Sequence, residues 1–344
     1  MPPTVSQVGD PAGPVDPDLV RRLLLDQHPD LADRPLHTVR DGTGRSEHGV
    51  ALVRVGQHFA VRLPRTAAGA ARLERQTRAL RDIAARTGAD AGTRTGSGKG
   101  VRPGAGIAVP YPVRPGDPTD YFPWGWTVHR WVPGRPATGQ AVRARAWWAP
   151  RLARFAAADL HAGAPGQEAS GEVAEGGLLA DHDAAVRGWL TDAGVVEALD
   201  GQDRAQQVLR LWEQLLGAAP STTAWAPWVH GRLDPARLLV DRGRLVGITG
   251  FEGPGPDGPG PGDPAADLAA GWLCFELQGR VEFVVGYSRL TGADDGWWLR
   301  GRAWAIVAAL RTLAAVQPGE DGREGRHAIG QLLDAPDALR FNKY

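Results

Sequence analysis

Residues 230–268 hold three short segments whose order and spacing constrain the fold more than any one of them alone. The first is the run His230-Gly231-Arg232-Leu233-Asp234-Pro235-Ala236-Arg237-Leu238-Leu239. The second, Gly247-Ile248-Thr249-Gly250-Phe251-Glu252, reads as the end of a strand. The third, Gly262-Asp263-Pro264-Ala265-Ala266-Asp267-Leu268, reads as a turn that opens a helix. A Gly/Pro loop, Gly253 to Gly262, joins the last two. Arginine stands at 232 and 237, and glycine at 250; carboxylates follow two residues after two of these, at Asp234 and Glu252.

A chain of 344 residues buries a substantial core and suits one two-lobed unit or two domains. Lys plus Arg and Asp plus Glu number 39 each, so the charge favours neither nucleic acid nor an anionic membrane as partner. Nearly all the cations are arginine; only Lys99 and Lys343 are lysines. The lone cysteine, Cys274, excludes an intrachain disulfide, fits a reducing compartment, and reads as a small core residue on the helix after Asp267. No apolar run reaches membrane length and the start lacks a basic-then-apolar signal, so a cytoplasmic location is expected.

Along the chain, residues 1–14 are Pro/Gly-punctuated and read as a disordered tail. Asp16-Pro17 predicts a capped helix through Leu25. Short alternating runs at Leu36 to Val39, Gly49 to Val55 and Phe59 to Leu63 predict an antiparallel sheet. Thr66 predicts the cap of a helix reaching about Arg86, and residues 88–106, rich in Gly, Ala, Thr and Arg, read as a flexible insertion. The clearest later helices are expected at Trp147 to His161, Arg204 to Leu216 and Gly296 to Leu313.

Together these segments resemble the aminoglycoside phosphotransferase family, the antibiotic and choline-kinase-like kinases, over roughly residues 16–316. The family loop reads H-G-D-L-x-x-x-N-[LI]-L, its strand ends I-D-[FW], and its turn reads G-D-P-x-x-D-[LI]. Phe59 to Arg65 resembles the family's third strand, where a basic side chain faces the nucleotide phosphates; here that residue is Arg62. Tyr121 to Gly134 resembles the strand and hinge between lobes, and Arg300 to Ala305 a late helix. The resemblance implies an α+β, two-lobed protein-kinase-like fold. Residues 15–134 would form the small lobe with its sheet and helix, and 135–344 a helical lobe carrying the loop 230–239.

In the family, the loop Asp is the catalytic base, the Asn a magnesium ligand and the strand Asp a second metal contact. Those positions are Arg232, Arg237 and Gly250 here. Guanidinium has no accepting lone pair, and a unit charge about 4 Å from another costs roughly 4 kcal/mol at an effective dielectric near 20. Magnesium-dependent transfer is therefore not expected, and no His/Cys set has metal-ligand spacing. The retained His230, Gly231, Leu233, Pro235 and Asp267 keep the framework; the family's Asp at 267 supports the loop from behind.

Asp234 and Glu252 are candidate displaced acids, with His230 beside them, although Asp234 equally suits a local ion pair with Arg232 or Arg237. The family lysine is commonly paired with a helix Glu; the alignment puts Gln76 there, and a shift would bring in Glu74. Asp41 to Ser46 reads either as a phosphate-cradling turn, with Ser46 a contact, or as an ordinary loop. Trp124, Trp126 and Trp131 suit either an adenine-like ring, with Trp131 against it, or a packed lobe interface. Trp147, Trp148, Trp225 and Trp228 read as core or pocket wall, and His129 and His161 as structural.

The reading that follows is a pseudokinase whose interlobe cleft takes a nucleotide (ATP or GTP) or another anionic small molecule without magnesium, through Arg232 and Arg237. One alternative is an enzyme of natural-product metabolism doing non-phosphoryl acid/base chemistry with Glu252, Asp234 and His230. An active phosphotransferase using displaced acids and a protein-binding module complete the set.

Overall fold

The computed structural model describes residues 16–39, 49–88, 106–162, 178–218, 227–251, 260–316 and 322–334. The expected tail 1–14, most of the 88–106 segment, Ser46, Trp225 and Glu252 lie outside the described residues. The chain divides into two compact units: Met1–Pro133 with Gly247–Pro254, and Gly134–Val246 with Gly255–Tyr344.

In the first unit α1 (Pro17–Gln27) starts where the Asp16 carboxylate accepts the Asp18 N–H, with proline at the first helical position. It runs two residues past the expected end. α2 (Pro29–Ala32), β1 (Leu36–Thr38), β2 (Val50–Val55) and β3 (Phe59–Pro64) follow. α3 (Ala67–Thr87) is capped by the Thr66 hydroxyl, which accepts from the Gly69 N–H. β4 (Pro112–Gly116) and β5 (Trp126–Arg130) complete an antiparallel sheet in the order β1-β2-β3-β5-β4.

The sheet buries Val53, Val55, Val61, Leu63, Val128 and Trp126 against Val20, Leu23 and Leu24 of α1. At roughly 1.5–3 kcal/mol for each fully buried large apolar side chain, that face holds the unit together. Trp124 packs on the same core. Gly116 is obligatory: a Cβ there would lie 2.0 Å from the Trp126 ring.

The second unit is mainly helical. It opens with β6 (Arg135–Pro136), α4 (Val142–Arg145) and α5 (Ala149–Arg154), then α6 (Asp183–Trp189), α7 (Ala193–Ala198) and α8 (Gln202–Ala218). β7 (Trp228–Val229), β8 (Leu238–Asp241), β9 (Arg244–Ile248) and β10 (Gly260–Pro261) flank the loop of interest. β6, β8 and β9 form one small sheet, and β7 pairs antiparallel with β10. The last residues of β9 belong to the first unit, where the Ile248 N–H donates to the Ala108 carbonyl.

α9 (Ala265–Leu268), α10 (Ala270–Cys274), α11 (Leu277–Thr291), α12 (Asp295–Ala314) and α13 (Arg323–Leu333) make the rest. α12 is buried along most of its length, and its Gly301 lets α9 approach: a Cβ would stand 3.0 Å from the Leu268 Cβ. Trp298 of α12 meets Phe283 and Tyr287 of α11 edge-on, at 6.1 and 5.9 Å between centroids.

Two expectations need correction. Trp147 to His161 is not one α-helix: a 3-10 turn at Ala146–Trp148 precedes α5, and Phe155–Leu160 is π-helical. Its last bond runs from the His161 N–H to the Ala156 carbonyl, a five-residue span. Trp147 is not core but 87% exposed; the tight turn sends Trp148 inward, where its indole N–H donates to the Gly243 carbonyl at 2.9 Å.

Candidate anion-binding site

The loop between β7 and β8 is fixed through its main chain. Asp267 on α9 is fully buried; its Oδ2 accepts the His230 N–H and its Oδ1 the Gly231 N–H, both at 2.8 Å. His161, at the end of the π-helical stretch, directs Nε2 to Asp267 Oδ2 at 3.0 Å and Nδ1 to the Tyr287 hydroxyl at 2.7 Å. Facing a carboxylate, Nε2 carries a proton, so three donors converge on one buried acid. Burial, then the neighbouring charges of Asp267 and Asp263, push the Tyr287 hydroxyl's pKa up, so it stays protonated.

Further along, Gly231 adopts φ 76°, a left-handed turn that suits glycine. The Arg232 N–H donates to His230 Nδ1 at 3.2 Å. Asp234 closes the next turn: its Oδ1 accepts the N–H groups of Ala236 at 2.9 Å and Arg237 at 3.2 Å. The Pro235 carbonyl accepts the Ala137 N–H, and the buried Cys274 thiol points at the Leu233 carbonyl. Burial raises the Cys274 pKa, so it is an inert core thiol.

Arg232 and Arg237 are both half-buried on this frame. The Arg232 guanidinium stands 3.8 Å from Asp234 Oδ2, a partly exposed ion pair worth at most about 1 kcal/mol. Asp234 and His230 are thus engaged in holding the loop. Gly250, on the other unit's segment, has φ 88°, a conformation an Asp adopts only under strain. Two guanidiniums and one engaged carboxylate do not fit a cation that asks for six oxygens in near-octahedral array. Among the described residues no three His, Cys, Asp or Glu side chains are grouped to hold a metal.

The first unit carries the other sequence candidates. Arg62 on β3 is 1% exposed, and its Nη2 donates to Gln76 Oε1 of α3 at 2.9 Å. Glu74 instead faces solvent beside Arg78, so Gln76 and not Glu74 meets Arg62. His129 is buried beneath, with Nδ1 on the Pro110 carbonyl and Nε2 on the Thr127 hydroxyl. Burial first, then the Arg62 charge, lowers its pKa to about 3, so it is neutral. Trp131 is half-buried under the Arg54 guanidinium, 4.9 Å from its ring centroid.

Residues 38–310 match the model of the phosphotransferase enzyme family that comprises the aminoglycoside phosphotransferases. The chain belongs to this family. Its fold is the family's α+β kinase-like one. Macrolide 2'-phosphotransferase MphH from Brachybacterium faecium, solved as apoenzyme, is similar at 20% identity and TM-score 0.53, over 93% of this chain and 99% of that one. Wild-type aminoglycoside 2'-phosphotransferase-IIIa, solved with GDP, is similar at 16% identity and TM-score 0.58, again over 93% and 99%. A GDP and kanamycin complex of APH(2")-IIIa is similar at 16% identity and TM-score 0.56, over 95% and 99%. At such identities these likenesses show the fold alone. No curated protein sequence matches this phosphotransferase-family chain.

Sequence reasoning singled out His161 only as structural and passed over Tyr287, although both brace the loop. They lie 106 and 20 residues from Asp267 in sequence, and no local pattern announces the pairing. No helix among the described residues is long and apolar enough to cross a membrane.

Proposed function

We propose that this protein is a catalytically degenerate member of the phosphotransferase family that binds a nucleotide or similar phosphorylated small molecule without magnesium, through Arg232 and Arg237. The observation that carries the reading is the division of labour in the loop. Within the loop, the hydrogen bonds of Asp267 and of Asp234 Oδ1 end on main-chain N–H groups, so they do not depend on the side chains at 232 and 237. Two planar cations held on such a frame suit bidentate binding of phosphate oxygens. Two of the similar structures were solved with GDP, which favours a nucleotide among anionic ligands. The single buried cysteine accords with a cytoplasmic protein.

Calorimetric titration of ATP and GTP, once with magnesium and once with EDTA, tests this. Binding should survive EDTA. A charge-assisted hydrogen bond contributes about 1.5–3 kcal/mol, so Arg232→Ala and Arg237→Ala should each weaken binding by roughly 10-fold to 100-fold. Binding that requires magnesium, or vigorous phosphoryl transfer by the unmodified protein, refutes the reading.

A further inference from the structure

Between Asp120 and Asp159 the chain has no carboxylate, and its only charged residues there are arginines. From Val142 to Leu160 this stretch is an unbroken succession of helical turns: α4, the 3-10 turn Ala146–Trp148, α5 and the π-helical segment. One side of it is buried, with Trp148, Leu152 and Phe155 packed inward and Arg145 turned to Glu324. The other side carries Arg143, Trp147, Arg151 and Arg154, at steps of four, four and three residues, and all four are exposed. The turn between β8 and β9 extends this face within the same unit. The bond from the Trp148 indole N–H to the Gly243 carbonyl, 2.9 Å, sets the exposed Arg242 and Arg244 beside the helix. Arg244 stands near enough that its charge, after burial, lowers the Arg151 pKa. Among the described residues Arg143, Arg154, Arg242 and Arg244 form no ion pair. Asp241 is the one carboxylate within residues 142–154 and 241–244, so against five exposed arginines it leaves the face at +4 (5 − 1). The zero net charge of the whole chain conceals this local excess.

We propose that this face lies on an anionic lipid bilayer, with the Trp147 ring at headgroup level and the five arginines against headgroup phosphates. Tryptophan suits that depth because its ring is apolar and its N–H polar. An arginine stem follows apolar surface while its guanidinium reaches the phosphate oxygens. Two other occupants fit less well. A single-stranded nucleic acid asks for successive rings to stack on, whereas the other aromatics of this stretch, Trp148 and Phe155, are buried. A protein hot spot asks for an aromatic sealed among dry neighbours, whereas Trp147 has an exposed arginine one turn away on either side. The contact is peripheral and uses neither Arg232 nor Arg237, so it stands or falls apart from the nucleotide reading.

The test is co-sedimentation of the full chain with vesicles of phosphatidylcholine alone and of phosphatidylcholine mixed with phosphatidylglycerol. The protein should pellet with the mixed vesicles and stay in solution with the neutral ones. Salt raised from about 0.1 M to about 1 M, which shortens the screening length from about 10 Å to about 3 Å, should release it. Arg143→Gln and Arg154→Gln should each weaken partitioning about fivefold. Trp147→Ser should weaken it about tenfold. Equal pelleting with both vesicle types, or Trp147→Ser and Arg154→Gln proteins that pellet like the unmodified one, overturns the inference. Pelleting that polyuridylate at equal phosphate abolishes also overturns it, in favour of a nucleic-acid surface. Should a variant not fold, the contrast between neutral and anionic vesicles with the unmodified protein still decides.

Discussion

Removal of the Asp267 carboxylate should loosen the loop in a graded and residue-specific way. Asp267→Ala strands the buried His230 N–H and His161 Nε2 proton and the half-buried Gly231 N–H. At roughly 1–3 kcal/mol for each unsatisfied buried donor, the loss should be about 4 kcal/mol. Asp267→Asn keeps one acceptor oxygen. It stays at the Oδ2 position, which serves two donors, and the new amide NH2 faces the Gly231 N–H. Only one bond is lost, at a cost of about 2 kcal/mol. Hydrogen exchange reads the difference directly: in Asp267→Asn the Gly231 amide should exchange about 30-fold faster while the His230 amide stays protected. Urea unfolding should rank the proteins unmodified, Asn, Ala. An Asn variant as unstable as Ala, or an Ala variant within about 0.5 kcal/mol of the unmodified protein, refutes the idea that this acid organises the loop.

His129 makes the first unit acid-sensitive: its folded pKa, about 3, lies below the ordinary 6.5, so the unfolded chain binds the extra proton between those values. Stability therefore falls as pH drops through 6.5, by about 2 kcal/mol between pH 8 and pH 5, and exchange of β5 amides should show a slope that His129→Gln removes. Gly250→Ala should cost about 1–2 kcal/mol because of its φ of 88°, with Gly250→Asn cheaper; equal costs in chemical denaturation would show that the backbone conformation does not matter there. Arg145, 1% exposed, makes a bidentate pair with Glu324 of α13 and donates to the Gln140 carbonyl. Arg145→Ala should cost about 3 kcal/mol and expose α13 to proteolysis, and an unchanged digestion pattern would count against that clamp.

What the sequence made legible is what local pattern specifies. The Asp267 turn was readable because Asp263, Pro264 and Asp267 sit within one short motif, and its role is to meet main-chain groups of a loop that is itself a motif. The Arg62–Gln76 pair was legible only through the family resemblance, which left Gln76 and Glu74 both open until the helix turned Gln76 inward and Glu74 to solvent. The His161–Tyr287 brace was not readable, since its partners are 126 residues apart and meet only after α11 packs on α5. Gly250 was read as a missing side chain, whereas its φ is a backbone requirement that composition does not reveal. Trp147 was assigned to core or pocket wall because tryptophan is usually buried; a 3-10 turn of three residues was enough to send it to solvent.

If, as the motif resemblance implies, Arg232 and Arg237 stand where relatives carry an acid and an amide, the question is how the loop accommodates them. In many sites the reacting side chains also hold the frame, and their exchange collapses it. Here the frame is held by Asp267 and Asp234, whose hydrogen bonds to the loop end on N–H groups of residues 230, 231, 236 and 237. Main-chain donors are indifferent to the side chains they carry, so positions 232 and 237 were open to change at little cost in stability. The same indifference has a second consequence. A guanidinium carried on a fixed backbone loses less entropy on binding an anion than one on a mobile loop, because the frame is ordered beforehand. On the proposed reading, a charged ligand would therefore meet Arg232 and Arg237 on a frame already in place.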